Sequence, residues 1–348
     1  MKDKFPKISI IILNHNTGQL LENCISSVLN TPNFELEVIL VDNLSEDNSH
    51  KKCKELFPEI TLIENKENLG YCAGNNVGIE KATGEFIVIL NPDTEVTPTW
   101  LEKLVSAYEE HGEGLYQPKC LSLRDKELFD GAGNMIHIFG FGYSRAKGMK
   151  DVHQFEKDEN VCYASGACLF TKTKTMKKIG MFDPFLFVYH DDLDLGWRAA
   201  HQGIKSFYIP SATIYHYGSF IYKWSPFKYF QLEKNRIYCL LTHYSKSTFY
   251  KMLPSLILIE IMMFFIYLSK GLIKEKIRGY STILKNRKHI RKRYEELESK
   301  KIISDKEFIK KFPDELFITE EVGKGLSVKI FQFVVKNLSR INKYVLGV

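Results

Sequence analysis

The stretch Gly84–Glu95, GEFIVILNPDTE, limits the possible folds of this chain more than any other. Phe86, Ile87, Val88, Ile89 and Leu90 form an unbroken apolar, partly β-branched run, whose length suits a buried strand rather than a helix. The run halts at Asn91-Pro92-Asp93-Thr94, where proline offers no N–H to a sheet ladder and the chain must leave the sheet. Asp93 is thereby delivered to the carboxyl end of a central strand, the edge at which open α/β sheets bind ligands. Taken alone, Pro-Asp is also ordinary turn chemistry. The neighbouring segments have to decide between the two.

Ile8–Leu13 predicts a first buried strand, followed by the polar loop Asn14-His15-Asn16-Thr17 and a helix over 19–29 with apolar residues at helical spacing. Val38–Val41 predicts a second strand ending at Asp42-Asn43, and Ser45-Glu46-Asp47 carries the capping residues that open a helix. Thr61–Ile63 predicts a third strand, then Asn65 and the turn Asn68-Leu69-Gly70. Asn75–Ile79 enters a short helix that ends by Gly84. Strand and helix alternate four times before residue 95, which implies a parallel, doubly wound sheet. An aspartate at one strand end serves equally as a cap or a ligand. Asp42 and Asp93 together, with Asn14, Asn16, Asn68, Gly70, Asn75 and Asn91 around the same edge, favour a nucleotide. There is no GxGxxG after the first strand and no GxxxxGK[ST], which removes the central support for a dinucleotide dehydrogenase or a P-loop ATPase.

The 348 residues, 44% of them hydrophobic, suit one sizeable domain plus a substantial appendage. Seven cysteines, odd in number and without CxxC spacing, point to a reduced cytosolic setting. Basic residues precede the first apolar run, but Ile8–Leu13 is too short for a signal-peptide core and no cleavage site follows, so no export is expected. The net charge of +6 matters through its distribution, because Lys and Arg thicken after Lys270.

Beyond the opening strand, 109–150 is rich in glycine and aromatic residues without clear periodicity, suiting either an acceptor-side loop or a surface excursion. Val161–Phe170 returns to the core, with Ser165-Gly166-Ala167 small enough for a ligand to approach the backbone. Then comes Tyr189-His190-Asp191-Asp192-Leu193-Asp194-Leu195-Gly196-Trp197-Arg198. Acidic residues in a first helical turn are stabilised by the macrodipole, and Asp194 can pair with Arg198. Three carboxylates in four positions exceed what a cap needs, and like charges at close range push one pKa upward.

ISIIILNHN, VILVDNLSEDNS, NLGYCAGNNVGIEKATGEFIVILNPDT, ASGACLF and GMFDPFLFVYHDDLDLGWRAAHQG resemble the successive motifs of family-2 glycosyltransferases, in particular the rhamnosyltransferase-like branch. The resemblance covers roughly residues 7 to 240 and lies in the order of many motifs. It implies an α/β GT-A fold with a nucleotide-binding half over 1–95 and an acceptor-binding half over 96–245. It implies that Asp42 reads the base, that Asn75 lies near the ribose and diphosphate, and that Asn91-Pro92-Asp93 stands for the DxD metal motif, with Asn91 at its first acidic position. By the same resemblance Asp191 stands at the Glu position of the ED motif and Asp192 is the general base. Gly166, Asp194, Trp197 and Arg198 then belong to the acceptor site or its surroundings. His216 sits where the family often has a histidine reaching metal or diphosphate; among tyrosines it also suits a core histidine. The implied cofactor is Mg²⁺ or Mn²⁺, the hard cations that oxygen ligands and phosphate favour, and the implied donor is a dTDP or UDP sugar.

Residues 246–348 read as a helical, basic, membrane-associating region. Leu253–Leu268 is strongly apolar, shorter than a membrane span, and has Glu260 at its centre. The alternatives are a core helix, a spanning hairpin and a helix on an anionic membrane surface; the basic run that follows favours the last. Val322–Leu346, with Lys324, Lys329, Lys336, Arg340 and Lys343, is a second amphipathic candidate. No nucleic-acid partner is expected, and the sequence carries no signature of oligomeric state. The expected activity is an inverting, metal-dependent transfer of rhamnose or a hexose to a lipid-linked or cell-surface glycan, at the cytoplasmic face of a membrane. The rivals are a sugar-1-phosphate nucleotidyltransferase, which would need a basic phosphate loop after the first strand, and a membrane-bound scaffold that binds nucleotide sugar without turnover.

Overall fold

The computed structural model describes residues 6–218, 225–319, 323 and 325–348. Met1–Phe5, weighed above as the start of a leader, and Val322 and Lys324 of the second amphipathic candidate lie outside the described residues.

The chain divides into two compact units, the first made of Met1–Asn134, Ala146–Gly196 and Ile204–Ile221, the second of Met135–Arg145, Trp197–Gly203 and Tyr222–Val348. In the first unit, β1 (Lys7–Asn14), β2 (Glu35–Asp42), β3 (Thr61–Glu64) and β4 (Phe86–Leu90) run parallel in the order β4-β1-β2-β3. Every residue of β4 is buried, as its continuous apolar run requires. The connecting helices are α1 (Gln19–Leu29), α2 (Ser49–Leu56) and α3 (Gly70–Lys81). Helix α1 buries Leu21, Cys24, Ile25 and Val28, spaced three and four apart, against the sheet. Two starts differ from expectation. Helix α2 begins at Ser49, after a left-handed Asn48, because the Asp47 carboxylate accepts from the Ser49 amide and hydroxyl and closes a turn first. Helix α3 begins already at Gly70, whose φ of 72° only glycine adopts without strain.

After β4 come β5 (Thr94–Val96), α4 (Trp100–His111), β6 (Gly114–Ser122), β7 (Phe129–Gly131), β8 (Asn134–Ile136), β9 (Gly142–Ser144), β10 (Glu159–Val161), β11 (Cys168–Lys172), α5 (Thr173–Ile179), α6 (Asp191–His201) and β12 (Lys205–His216). These extend the sheet to β10-β12-β6-β11-β4-β1-β2-β3, with β5 on β12 and β7 on β6. The stretch read above as lacking periodicity thus supplies an interior strand. β6 was hidden because it is buried along nearly its whole length, carries Gln117 and Lys119 inside, and contains Pro118. The ladder accommodates that proline: Pro118 pairs with Ile209, and the register shifts between Ile209 and Thr213.

The second unit holds α7 (Pro226–His243), α8 (Lys246–Ser269), α9 (Ile273–Lys285), α10 (Arg287–Ser299), α11 (Asp305–Ile309) and α12 (Leu326–Leu346). Among the described residues, α8 alone is long and apolar enough to cross a membrane. Its central Glu260 is paired with Arg236 of α7, with Lys276 of α9 at 3.0 Å, and with the Tyr280 hydroxyl. Glu233 completes the set, 2.9 Å from Arg236 and 2.5 Å from Lys276. Removing one member of such a buried set leaves a charge without compensation, at a cost of about 3–5 kcal/mol. The other face of α8 exposes Ile257, Ile261, Phe264, Phe265 and Leu268.

Candidate active site

Three groups of polar side chains gather at the carboxyl edge of the parallel strands. The first forms where the chain leaves β4. β5 pairs antiparallel with the end of β12, Thr94 opposite His216, and the Tyr217 amide donates to the Asp93 carbonyl at 2.9 Å. This register brings His216 Nε2 to 3.2 Å from Asp93 Oδ1 and 3.3 Å from the Asn91 side-chain nitrogen. The other ring nitrogen, Nδ1, lies 2.8 Å from Asp130 Oδ2 on β7. Burial opposes charging the imidazole, but the two carboxylates outweigh it and raise the His216 pKa well above its ordinary value. Burial likewise works against ionising Asp93 and Asp130, and the same imidazole holds both below the usual carboxylate range.

The second group stands at the start of α6. The backbone turns into this helix through Phe187, Tyr189 and His190, with φ of 65°, 67° and 59°. Non-glycine residues in that region store strain, which folds retain mainly at working sites. The Asp192 carboxylate accepts from the Gly166 amide at 3.2 Å and the Leu193 amide at 2.8 Å. Burial pushes Asp192 up to about 6 despite those donors, and burial together with the Asp192 charge pushes Asp191 well above the carboxylate range. Gly166 is the platform beneath both. Its carbonyl accepts from the Tyr71 hydroxyl at 2.8 Å, and a Cβ there would stand 2.8 Å from that hydroxyl and 3.4 Å from Asp191 Oδ2.

These two groups belong to one edge. Strands β4 and β11 pair antiparallel with Leu90 opposite Cys168, and the Asn91 amide donates to the Ala167 carbonyl at 3.0 Å. Asp93 therefore lies two residues beyond that bond on one strand, and Gly166, donor to Asp192, one residue before it on the other.

The third group lies at the ends of β1 and β2. Asn14 and Asp42 are register partners, and the Asn14 side-chain nitrogen donates to Asp42 Oδ1 at 2.8 Å. The Ser45 amide donates to Asp42 Oδ2 at 2.9 Å, and His50 approaches to 3.3 Å. Asp42 is thus buried and well partnered. Asn43 ties the neighbouring turn through Gly70 and Asn68, and Asn68 reaches His15. Asn16 is exposed, its side-chain oxygen accepting from the Glu46 amide at 2.7 Å. Asn75 is buried and donates to the Tyr71 carbonyl at 2.9 Å. Its Oδ1, and that of Asn14, are buried without a hydrogen-bond partner among the described residues. Two such acceptors at one edge suit a ligand that brings N–H or O–H donors.

Asp194, Trp197 and Arg198 follow on α6 as buried side chains. Asp194 is fully buried, and Trp197 and Arg198 are each 1% exposed. Trp197 stacks on His243 at 4.8 Å and meets Tyr244 and Phe312 edge-on. Sequence reasoning missed Asp130, Tyr71, His15, Asn43 and His50 as members of these networks. Asn43, beside Asp42, was the most legible of them; Asp130 lies in the glycine-rich stretch that gave no periodic signal.

The chemistry of the first group fits a divalent cation. Asp93 offers a carboxylate, His216 an imidazole nitrogen, and Asp130 fixes the ring from behind. An imidazole beside a carboxylate suits Mn²⁺ as well as Mg²⁺, with phosphate and water filling the remaining positions.

Comparison with known proteins bears on the family and the fold. The glycosyl transferase family 2 pattern matches residues 9–180. The N-acetylglucosaminyl-diphospho-decaprenol L-rhamnosyltransferase of Mycobacterium tuberculosis is 25% identical over 239 residues, 62% of this chain and 77% of that protein. The low-salt glycan biosynthesis hexosyltransferase Agl10 of Haloferax volcanii is 24% identical over 203 residues, 57% of this chain and 63% of its own. Among solved structures, GalNAc-T7 with UDP, GalNAc and Mn²⁺ superposes with a TM-score of 0.57 at 16% identity, covering 73% of this chain and 51% of that one. The chain thus spans about half the length of that structure, and the shared feature is the GT-A fold.

Proposed function

We propose, from the premise that this chain belongs to glycosyl transferase family 2, that it is an inverting, metal-dependent transferase acting on a lipid-linked glycan. The observation that carries the reading is the Asn91–Ala167 backbone bond, which joins the strand end bearing Asp93 to the loop whose Gly166 amide holds Asp192. In the proposed reaction Asp192 takes the proton of an acceptor hydroxyl. That oxygen bonds to the anomeric carbon as the bond to the β-phosphate oxygen breaks, so one displacement inverts the centre. A carboxylate pushed up to about 6 is ionised at neutral pH and basic enough for the task. The Gly166 and Leu193 amides hold it in place, and Asp191 beside it, its carboxyl pushed well above the usual range by burial and by the Asp192 charge, resists carrying a second charge. Asp93 and His216 would hold the cation, whose charge offsets that of the departing diphosphate. Asn14, Asn16, Asp42, Asn68, Gly70, Asn75 and Asn91 form the donor side.

For the donor we favour dTDP-rhamnose, with a UDP-hexose second, because the Mycobacterium tuberculosis relative is named as an L-rhamnosyltransferase. The same name places a lipid diphosphate in that relative's acceptor. A membrane site for the present chain is supported by α8 and by charge. Residues 270–301 carry twelve Lys and Arg against four Glu, while the whole chain is only +6. Lys270, Lys274, Arg278, Lys285, Arg287, Lys288, Arg291 and Lys292 are exposed. Attachment to the cytoplasmic face without crossing is the favoured form, since the ion pairs of Glu260 tie the middle of α8 to α7 and α9.

The test is incubation of the full chain with Mn²⁺, a panel of dTDP, UDP and GDP sugars, and polyprenyl-diphosphate-linked sugars as acceptors. Release of nucleoside diphosphate matched by a glycosylated lipid with inverted anomeric configuration is expected. Donor binding without release would leave the scaffold, and pyrophosphate release from nucleoside triphosphate and sugar-1-phosphate would establish the nucleotidyltransferase.

A further inference from the structure

The glycine-rich stretch before residue 150 contributes one acidic residue to the site, Asp130, with no role in the reaction as proposed. β7 fixes its direction. Gly131 pairs with Cys120 of β6, Phe129 exchanges backbone hydrogen bonds with Gly148 and Met149, and the Phe129 side chain is buried in the core. Alternation along a strand then turns the intervening Asp130 to the opposite face, where Oδ2 meets His216 Nδ1 at 2.8 Å and Oδ1 meets Lys147 Nζ at 2.5 Å. Both carboxylate oxygens are engaged, so Asp130 is poorly placed to bind a cation itself. Accepting from Nδ1–H fixes both the tautomer and the plane of the imidazole. With Nδ1–H committed to Asp130, Nε2, which faces Asp93 at 3.2 Å and Asn91 at 3.3 Å, is the nitrogen left to give its lone pair to a cation in place of its proton.

We infer that Asp130 is the positioning residue of the metal centre, a carboxylate that orients His216 so that Nε2 completes, with Asp93, the binding of a divalent cation. The inference rests on the reading of Asp93 and His216 as the metal ligands. Carboxylate–imidazole–metal relays of this kind fix the ring and raise the basicity of the ligating nitrogen. The competing explanation is a buried salt cluster of Lys147, Asp130 and His216 that stabilises β7 and nothing more.

The experiment uses the full chain as wild type and as Asp93→Ala, Asp130→Ala and Asp130→Asn, with Mn²⁺ as the probe. Binding is followed by calorimetry and by the EPR signal of free Mn²⁺, with and without UDP. Melting temperature and the ¹⁵N shifts of the His216 ring in metal-free protein are measured alongside. Asp93→Ala is expected to abolish binding. Asp130→Ala should weaken it about 10- to 100-fold, the usual cost of losing such an outer partner, and should shift the Nδ1 resonance of the metal-free ring, which in wild type donates to Asp130. Asp130→Asn should weaken it at least threefold, since the amide oxygen still accepts from Nδ1–H but carries no charge. If Asp130→Ala is folded and binds Mn²⁺ as wild type does while Asp93→Ala does not, the positioning role is overturned and the metal site stands. Should wild type bind no Mn²⁺ even with UDP, the metal site and the positioning role fall together. If Asp130→Ala does not fold, the isosteric Asp130→Asn decides: unchanged affinity overturns the inference and a threefold loss upholds it.

Discussion

Asp93, buried, and Asp192, half-buried, reach the same sheet edge in one unit, yet their surroundings push them in opposite directions. Asp93 shares a protonatable imidazole with Asp130, so burial is outweighed and its carboxyl is held below the usual range. Asp192 has Asp191 beside it and accepts from backbone amides, so burial prevails and carries it up to about 6. The lesson is about counter-charge. A carboxylate given a cation partner is a permanent anion, fit to hold a metal. One given only amides, with a second acid alongside, is an anion that can take up a proton near neutral pH. Divergent pKa values in one crevice mark acid–base assignments.

The largest way to break this comparison is Asp192→Asn, which keeps shape and removes basicity. We expect kcat to fall about 10³-fold, within the range measured for general bases, with donor affinity unchanged. The wild-type rate should decline as pH falls through about 6, where Asp192 takes up its proton. In the variant that limb should be missing from the residual rate. A variant within tenfold of wild type at pH 8 would remove Asp192 from the reaction.

The same substitution separates activity from stability. A carboxyl whose folded pKa of about 6 lies above its unfolded value near 3.8 binds its proton more tightly in the native state. The stability this contributes is fully present below the unfolded pKa and is lost as pH rises through the folded one. At pH 8 the wild type therefore bears a penalty of up to about 3 kcal/mol, taking 1.36 kcal/mol per pKa unit, that Asp192→Asn relieves. Urea unfolding should show the inactive variant to be the more stable protein at pH 8 and nearly equal to wild type at pH 4. Equal stability at pH 8 would mean that Asp192 carries no native-state penalty.

How much of this was legible follows the same division. The parallel half of the sheet declared itself, because β1 and β4 are dominated by apolar residues and β4 runs into Pro92, which offers no N–H to a ladder. Asp93, Asp191 and Asp192 stood out in the sequence because one closes the central apolar run and the others, with Asp194, put three carboxylates into four positions, more than a helix cap needs. β6 was not, because a strand buried on both faces that carries Gln117, Pro118 and Lys119 shows neither alternation nor a continuous apolar run. With β6 unread, the β7 strand hung on it was invisible, and so was Asp130. For Trp197 and Arg198 the sequence shows the side chains but not their burial, each being 1% exposed. The fold of the donor half is written locally, whereas the site depends on pairings between segments far apart in the chain.

The smallest effect sharpens the comparison at its pivot, the glycine that separates the two environments. A methyl at Gly166 would stand 2.8 Å from the Tyr71 hydroxyl, while its next neighbours, Tyr71 Cζ and Asp191 Oδ2, are at ordinary contact distances of 3.4 Å. Gly166→Ala should therefore destabilise the protein by about 1–3 kcal/mol through overpacking. Tyr71→Phe should cost about 1 kcal/mol by leaving the Gly166 carbonyl without its donor. Because the obstructing atom is the hydroxyl oxygen itself, the double variant should cost less than the sum of the two, with a coupling of about 1 kcal/mol measurable by a double-mutant cycle in urea. Strict additivity would mean that the alanine methyl is resisted by the Asp191 carboxylate instead. In that case the acidic pair, rather than the tyrosine, sets the height of the platform on which Asp192 rests.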